Sequence, residues 1–125
     1  MNYKIISKKN PLKPADPEKF YPFPKWSSEM NLRTIAEQIA RHCTLTPADV
    51  TAVLEALLSE LPDYLMNGHS VRLGDFGLMK LSFSGEGRGT ADDVTAKEIK
   101  RLKVLFLPGV ELKRKLSATR FERID

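Results

Sequence analysis

Apolar residues recur with one period in the first half of the chain and with another in the second. That switch restricts the fold more than any other feature. Leu32, Ile35, Ala36, Ile39 and Ala40 fall at i, i+3, i+4, i+7 and i+8, the spacing of one helical stripe. Asn31 before them is a suitable N-cap, so a first helix is predicted over 32–42. Thr46-Pro47-Ala48-Asp49 then supplies a second N-cap, a proline at the first helical position and an acid in the first turn. Val50, Val53, Leu54, Leu57, Leu58, Leu61 and Leu65 carry the helical period to a stop at Asn67-Gly68. Pro62 interrupts this run. An interior proline costs about 3 kcal/mol, so a kink or break is predicted near 59–62.

From Ser70 the period falls to two. Val71-Arg72-Leu73 alternates, Gly74-Asp75-Phe76-Gly77 forms a turn or bulge, and Leu78 to Phe83 is a second strand. Residues 84–91 hold glycines at 85, 87 and 89 and read as a flexible hairpin unable to fold alone. A third extended run spans 97–107, with Ile99, Leu102, Val104 and Phe106 set among basic residues. Pro108-Gly109 leads into a short last helix over 111–116, and 119–124 is extended or frayed. Helices that precede hairpin-linked strands predict an α+β fold with an antiparallel sheet. The broad apolar face of the second helix suits packing against a second copy of the chain.

Residues 1–31 differ from the rest. Tyr3-Lys4-Ile5-Ile6 suits a short strand, but prolines at 11, 14, 17, 22 and 24 exclude a helix or a central strand beyond it. Phe20, Tyr21, Phe23 and Trp26 lie within seven residues. They read as anchors pinning an extended arm to the body, in preference to a stacking surface for bases. The expected organisation is therefore a proline-rich arm over 1–31, one domain over 32–116 and a tail over 117–125.

Charge narrows the function. The net charge is +4, and it divides as +3 over residues 1–31, −2 over 32–83, −2 over 84–99 and +5 over 100–125. A polyanion-binding face must draw on the C-terminal third. Cys43 is the only cysteine and His42 and His69 the only histidines, which leaves no disulfide framework and too few ligands for a closed zinc site. No apolar run approaches the roughly 20 residues that span a bilayer. The N-terminus lacks a signal-peptide core, so a soluble, cytoplasmic protein is expected.

Three motifs resemble catalytic sites without the parts that catalysis needs. Asp75-Phe76-Gly77 matches the metal-binding triplet of kinases, but no glycine-rich loop, strand lysine or catalytic loop accompanies it. Gly85-Glu86-Gly87-Arg88-Gly89 lacks the register and lysine of a phosphate loop, and Glu86 would repel phosphate. His42 and Cys43 are helix neighbours whose side chains point apart, with no orienting third group. No enzyme, metal, cofactor or small-molecule substrate is expected.

Two helices, then Val71 to Lys80 with Phe76-Gly77 just beyond Gly74, a glycine-rich hairpin, and Phe106-x-Pro108-Gly109-x-x-Leu112-Lys113 follow one another in order. This layout resembles the HU/IHF family of histone-like DNA-binding proteins, and the N-terminal extension is similar to that of a divergent HU-related subgroup. The resemblance implies an IHF-like fold: two N-terminal helices, an antiparallel sheet with a β-arm, a short C-terminal helix and an intertwined homodimer. It implies nonspecific binding of double-stranded DNA at the nucleoid, with a proline at each arm tip wedged between base pairs. This chain departs from that pattern. Residues 84–96 contain no proline and set Arg88 against Glu86, Asp92 and Asp93, so wedging should be weakened.

Lys80 and Lys113 match basic positions of the family. Lys97, Lys100, Arg101 and Lys103 lie on the returning strand or arm base, either as phosphate contacts or as a solvated strand face. With Arg88 and Arg114 they complete the expected DNA-binding set. The alternative is a protein-interaction or assembly module on the same fold, with little affinity for DNA. In that case the N-terminal strand would pair with a sheet edge. A single contiguous basic face would favour DNA, and scatter would favour assembly.

Overall fold

The computed structural model describes residues 1–125. In chain order the elements are β1 (Asn2–Lys8), β2 (Lys19–Lys25), α1 (Leu32–Ala40), α2 (Pro47–Met66), β3 (Val71–Arg72), β4 (Gly77–Gly85), β5 (Ile99–Pro108), α3 (Val110–Leu116) and β6 (Glu122–Arg123). The fold is α+β, and two strands precede the first helix. The chain forms two compact units, Met1–Met30 with Lys115–Asp125, and Asn31–Arg114.

In the larger unit the helix signals act as the sequence predicts. The Asn31 side chain accepts a hydrogen bond from the Thr34 amide at 2.9 Å. Thr46 and Asp49 close a reciprocal capping box: the Asp49 amide donates to Thr46 Oγ1 at 3.2 Å and the Thr46 amide to Asp49 Oδ2 at 3.3 Å. α1 packs on α2, and α2 lies against β3 and β4. The predicted break at Pro62 does not occur. α2 runs through it as one 20-residue helix. Pro62 forgoes only the one bond that its N–H would have given the Leu58 carbonyl, and the helix continues around it.

The sheet of this unit has the order β3-β4-β5, antiparallel throughout. Gly74, Asp75 and Phe76 form a 3-10 turn between β3 and β4. The end of β5 docks on this turn: the Gly109 amide donates to the Phe76 carbonyl at 2.9 Å, and the Phe76 and Phe106 rings lie 5.2 Å apart. A Cβ on Gly109 would collide with the Asp75 carbonyl, so only glycine allows this approach. The Phe76-Gly77 and Phe106–Gly109 motifs, thirty residues apart in sequence, are thus one packing unit.

The segment after β4 is more ordered than its glycines suggest. The expectation of a loop unable to fold alone overlooked Glu98, which is only 9% exposed. Glu98 Oε1 accepts from Arg88 Nε at 3.2 Å and Nη2 at 3.1 Å, while Oε2 accepts from the Thr95 amide at 2.7 Å and hydroxyl at 2.8 Å. Two short 3-10 turns, Ala91–Asp93 and Ala96–Glu98, complete the arm.

The smaller unit is a three-stranded sheet of order β2-β1-β6. β1 pairs antiparallel with β2 along its whole length and parallel with β6 at Asn2 and Tyr3. The Asp125 carboxylate extends the β6 side by accepting from the Ile5 amide at 2.9 Å. The proline-rich segment therefore contains a full second strand beyond the predicted 3–6. Pro22 and Pro24 share one parity on an edge strand, so their missing N–H groups face away from β1. Phe20 is 72% and Trp26 70% exposed. Neither is a buried anchor, and pairing between strands orders the segment instead.

The chain buries little. Ala36, Val50 and Leu65 are its only buried apolar residues, and 10697 Å² of surface is accessible. A folded monomer of this mass exposes about 6,700 Å², and two separately folded bodies of these sizes about 8,000 Å². Much of the excess is apolar: Val53, Leu57 and Leu58 on α2 and Leu102, Val104 and Phe106 on β5 are exposed.

Candidate nucleic-acid interface

The register of the larger sheet sorts its side chains into two faces. Arg72 stands opposite Leu78, Lys80 opposite Leu105 and Ser82 opposite Lys103. Directly opposed residues share a face, and residues two apart on one strand share it too. Arg72, Lys80 and Lys103 therefore lie on one face with Ser82. Val71, Met79, Leu81, Val104 and Phe106 lie on the other, which carries no charge.

Lys100 joins the basic face through an irregularity. Lys100 and Lys103 are three positions apart, so a regular strand would place them on opposite sides. The ladder shifts here: Ser82 pairs with Lys103, but Ser84 pairs with Lys100. β5 thus holds one residue more than β4 across this step. Arg101, within it, has φ +57, the only positive φ at a non-glycine residue. This β-bulge absorbs the extra residue and returns Lys100 to the side of Lys103. It also leaves Leu102 to extend the apolar face.

The result is one strip of Arg72, Lys80, Lys103 and Lys100, with serines 82 and 84 between the cations. None of the four takes part in an ion pair. Unpaired cations in a row attract an extended polyanion, and the small serines leave its phosphates room to approach.

The other predicted residues are placed differently. Arg101 occupies the bulge beside the strip. Arg88 lies in the arm, bonded to Glu98 and 3.8 Å from Glu86, so much of its charge is matched internally. Lys97 is exposed on the Ala96–Glu98 turn, beyond the paired strands. Lys113 and Arg114 belong to α3, and Arg114 Nη2 lies 2.6 Å from Glu111 Oε2. The sequence reading missed Arg72. Its parity relative to Lys80 could have been found only by fixing the β3–β4 register across the 74–76 turn.

The arm has an acidic lock. The Glu98 carboxyl is held below the usual carboxylate range, first by the Thr95 amide, then by the Thr95 hydroxyl and the Arg88 guanidinium. Thr90 donates to Asp93 at 2.8 Å and fixes a second acid nearby. No group of three or more His, Cys, Asp or Glu side chains could hold a metal ion, and no helix is long and apolar enough to cross a membrane.

The family described as an HU domain fused to wHTH, Ig or glycine-rich motif matches residues 1–123. Among solved structures, a candidate DNA-binding protein from Bacteroides vulgatus ATCC 8482 is similar with a TM-score of 0.64 and 16% identity. That match covers 98% of this chain and 48% of the other, so the chain spans about half the length of the Bacteroides protein. HU of Anabaena, in its cocrystal with DNA, is similar with a TM-score of 0.56 and 22% identity, over 72% of this chain and all of that one. No curated protein matches the sequence.

Proposed function

The chain belongs to the HU family, in the group of HU domains fused to wHTH, Ig or glycine-rich motifs, and from that premise we propose that it is a histone-like protein binding double-stranded DNA with little sequence preference, as a homodimer. The carrying observation is the strip of Arg72, Lys80, Lys100 and Lys103, assembled on one face by the bulge at Arg101. Lysines bound to phosphates fix position on a duplex but read no bases, hence the tolerance of sequence. Arg101 adds a contact beside the strip, Lys113 and Arg114 add contacts from α3 and Lys97 from the Ala96–Glu98 turn, while Arg88, held by Glu98, adds little.

The homodimer is supported by the exposed surface. An excess of at least about 2,700 Å² over separately folded bodies is in the range that obligate dimers bury. The apolar row on α2 and the uncharged sheet face supply the material for it. Bending is weak in this reading, because 84–96 offers no proline wedge and Glu86, Asp92 and Asp93 oppose entry into a groove. No step requires a catalytic group or cofactor. The protein acts at the nucleoid, in the cytoplasm.

The test is a salt titration of binding to a duplex of about 30 base pairs, with a nicked or bent duplex beside it. Tight binding that weakens steeply with salt is expected, with at most a small preference for the distorted duplex. Absence of binding at about 50 mM salt would refute the proposal and favour an assembly module on the same fold.

A further inference from the structure

The β1–β2 hairpin has two unlike faces. Tyr3, Ile5, Pro22 and Pro24 share one by register, and with Met1 and Phe121 they line an apolar groove of about 590 Å³. The other face pairs Asn2 with Lys25, Lys4 with Phe23, Ile6 with Tyr21 and Lys8 with Lys19. Four lysines, a tyrosine and a phenylalanine thus alternate on one side. None of these lysines takes part in an ion pair.

Two details point to an anionic ligand with flat rings. Lys8 directly opposes Lys19, and like charges so placed are destabilising until an anion sits between them. These two, with Lys9, Asn10, Asp16, Pro17 and Tyr21, line a polar hollow of about 300 Å³ in which three lysines face a single acid. The aromatic side chains also stay available. Tyr21 is 42% exposed, and Trp26 stands edge-on to Phe23 with centroids 5.8 Å apart. Lys4 Nζ lies 5.7 Å from the Phe23 centroid, so the cations and rings form one surface.

We propose that this face binds single-stranded nucleic acid, its phosphates on Lys8, Lys9, Lys19 and Lys25 and its bases stacked on Tyr21 and Trp26. A duplex keeps its bases stacked on one another and could use only the lysines. Unpaired bases use the rings as well, which is how sequence-tolerant single-strand sites are built. Seven paired residues span about 24 Å, room for a short run of nucleotides. The inference does not depend on the β4–β5 strip.

Trp26 is the only tryptophan, so its fluorescence reports this face. The full chain is titrated with fluorescein-labelled dT and U oligomers of about 15 nucleotides, in parallel with a duplex of equal length and with phosphatidylserine vesicles. Anisotropy reads binding and Trp26 emission reads its location. Both single strands should bind and quench Trp26, and the stronger of the two distinguishes DNA from RNA as the source. K8Q/K19Q should weaken binding at least tenfold and lower the log–log salt slope by about 1.4. Y21A should weaken it roughly tenfold. K80Q/K103Q should weaken it less than K8Q/K19Q does and should leave the quenching of Trp26 in place. Single-strand affinity indifferent to K8Q/K19Q and Y21A would overturn the proposal. So would loss of affinity in K80Q/K103Q alone, or quenching by vesicles without binding of either oligomer.

Discussion

If the strip on β3, β4 and β5 contacts phosphates, its removal must appear in the salt dependence of duplex binding. Each protomer presents Arg72, Lys80, Lys100 and Lys103 on that face. The proposed homodimer would then neutralise about eight phosphates, a log–log slope near −7 from this face alone. Between 50 and 200 mM salt that slope corresponds to an affinity loss of roughly ten-thousand-fold. The variant K80Q/K100Q/K103Q removes about six of the eight contacts. Its slope should fall in magnitude by about five, and its loss over the same salt range should shrink to roughly tenfold. R88Q is the control, because Glu98 already binds that guanidinium, and it should change the slope by less than about one. Deleting Arg101 tests the geometry itself. Without the extra residue Lys100 and Lys103 stand two positions apart and a regular strand keeps both on the basic face, so the deletion should lower the slope by no more than R101Q does. Fluorescence anisotropy on a duplex of about 30 base pairs measures every case. A triple variant whose slope equals that of R88Q would refute the reasoning.

Three further outcomes follow from other parts of the molecule. Because the folded Glu98 carboxyl titrates below its unfolded value of about 4.3, its contribution is present above that pH and is lost as pH falls through the lower folded value. Protection factors of the amides over 86–98, referred to the intrinsic rate at each pH, should therefore be high and steady above about pH 5 and fall in acid, and E98Q should be poorly protected throughout. G109A forces a methyl group into the Asp75 carbonyl and should lower stability in urea by about 2 kcal/mol or more; an unchanged midpoint would mean that the 74–76 turn yields freely. R101G relieves an arginine of left-handed backbone and should raise stability by up to about 1 kcal/mol while weakening duplex binding, two effects that calorimetry and anisotropy separate.

Local signals carried much of the fold. Both helix starts were legible because a cap is a short-range event: Asn31 and Thr46 meet amides three residues away. Alternation located β4 and β5. The bulge was not legible, since nothing in Lys100-Arg101-Leu102-Lys103 says which residue leaves the ladder; the register against β4 decides it. Arg72 escaped for the same reason. The arm was misjudged because its order comes from one carboxylate reaching Arg88 ten residues back, and glycine content gives no sign of such a bond. Pro62 did not break α2, since a proline removes one bond of the ladder and the rest of the helix holds the turn. The prolines at 22 and 24 properly excluded a central strand, yet an edge strand accepts them.

Those two prolines also bear on how such a protein survives crowding. Molecules at high local concentration meet one another constantly, and any bare strand invites a neighbour to continue the ladder. On the outer side of β2, two of the three positions that would donate to a further ladder, 22 and 24, are prolines with no hydrogen to give, and Phe20 alone keeps its N–H. Growth in that direction is disfavoured. On the other side of β1, the short β6 and the Asp125 carboxylate occupy the first few amides. Two prolines on one edge and a two-residue strand on the other give the terminal sheet little ladder to extend, which disfavours strand-to-strand growth between molecules.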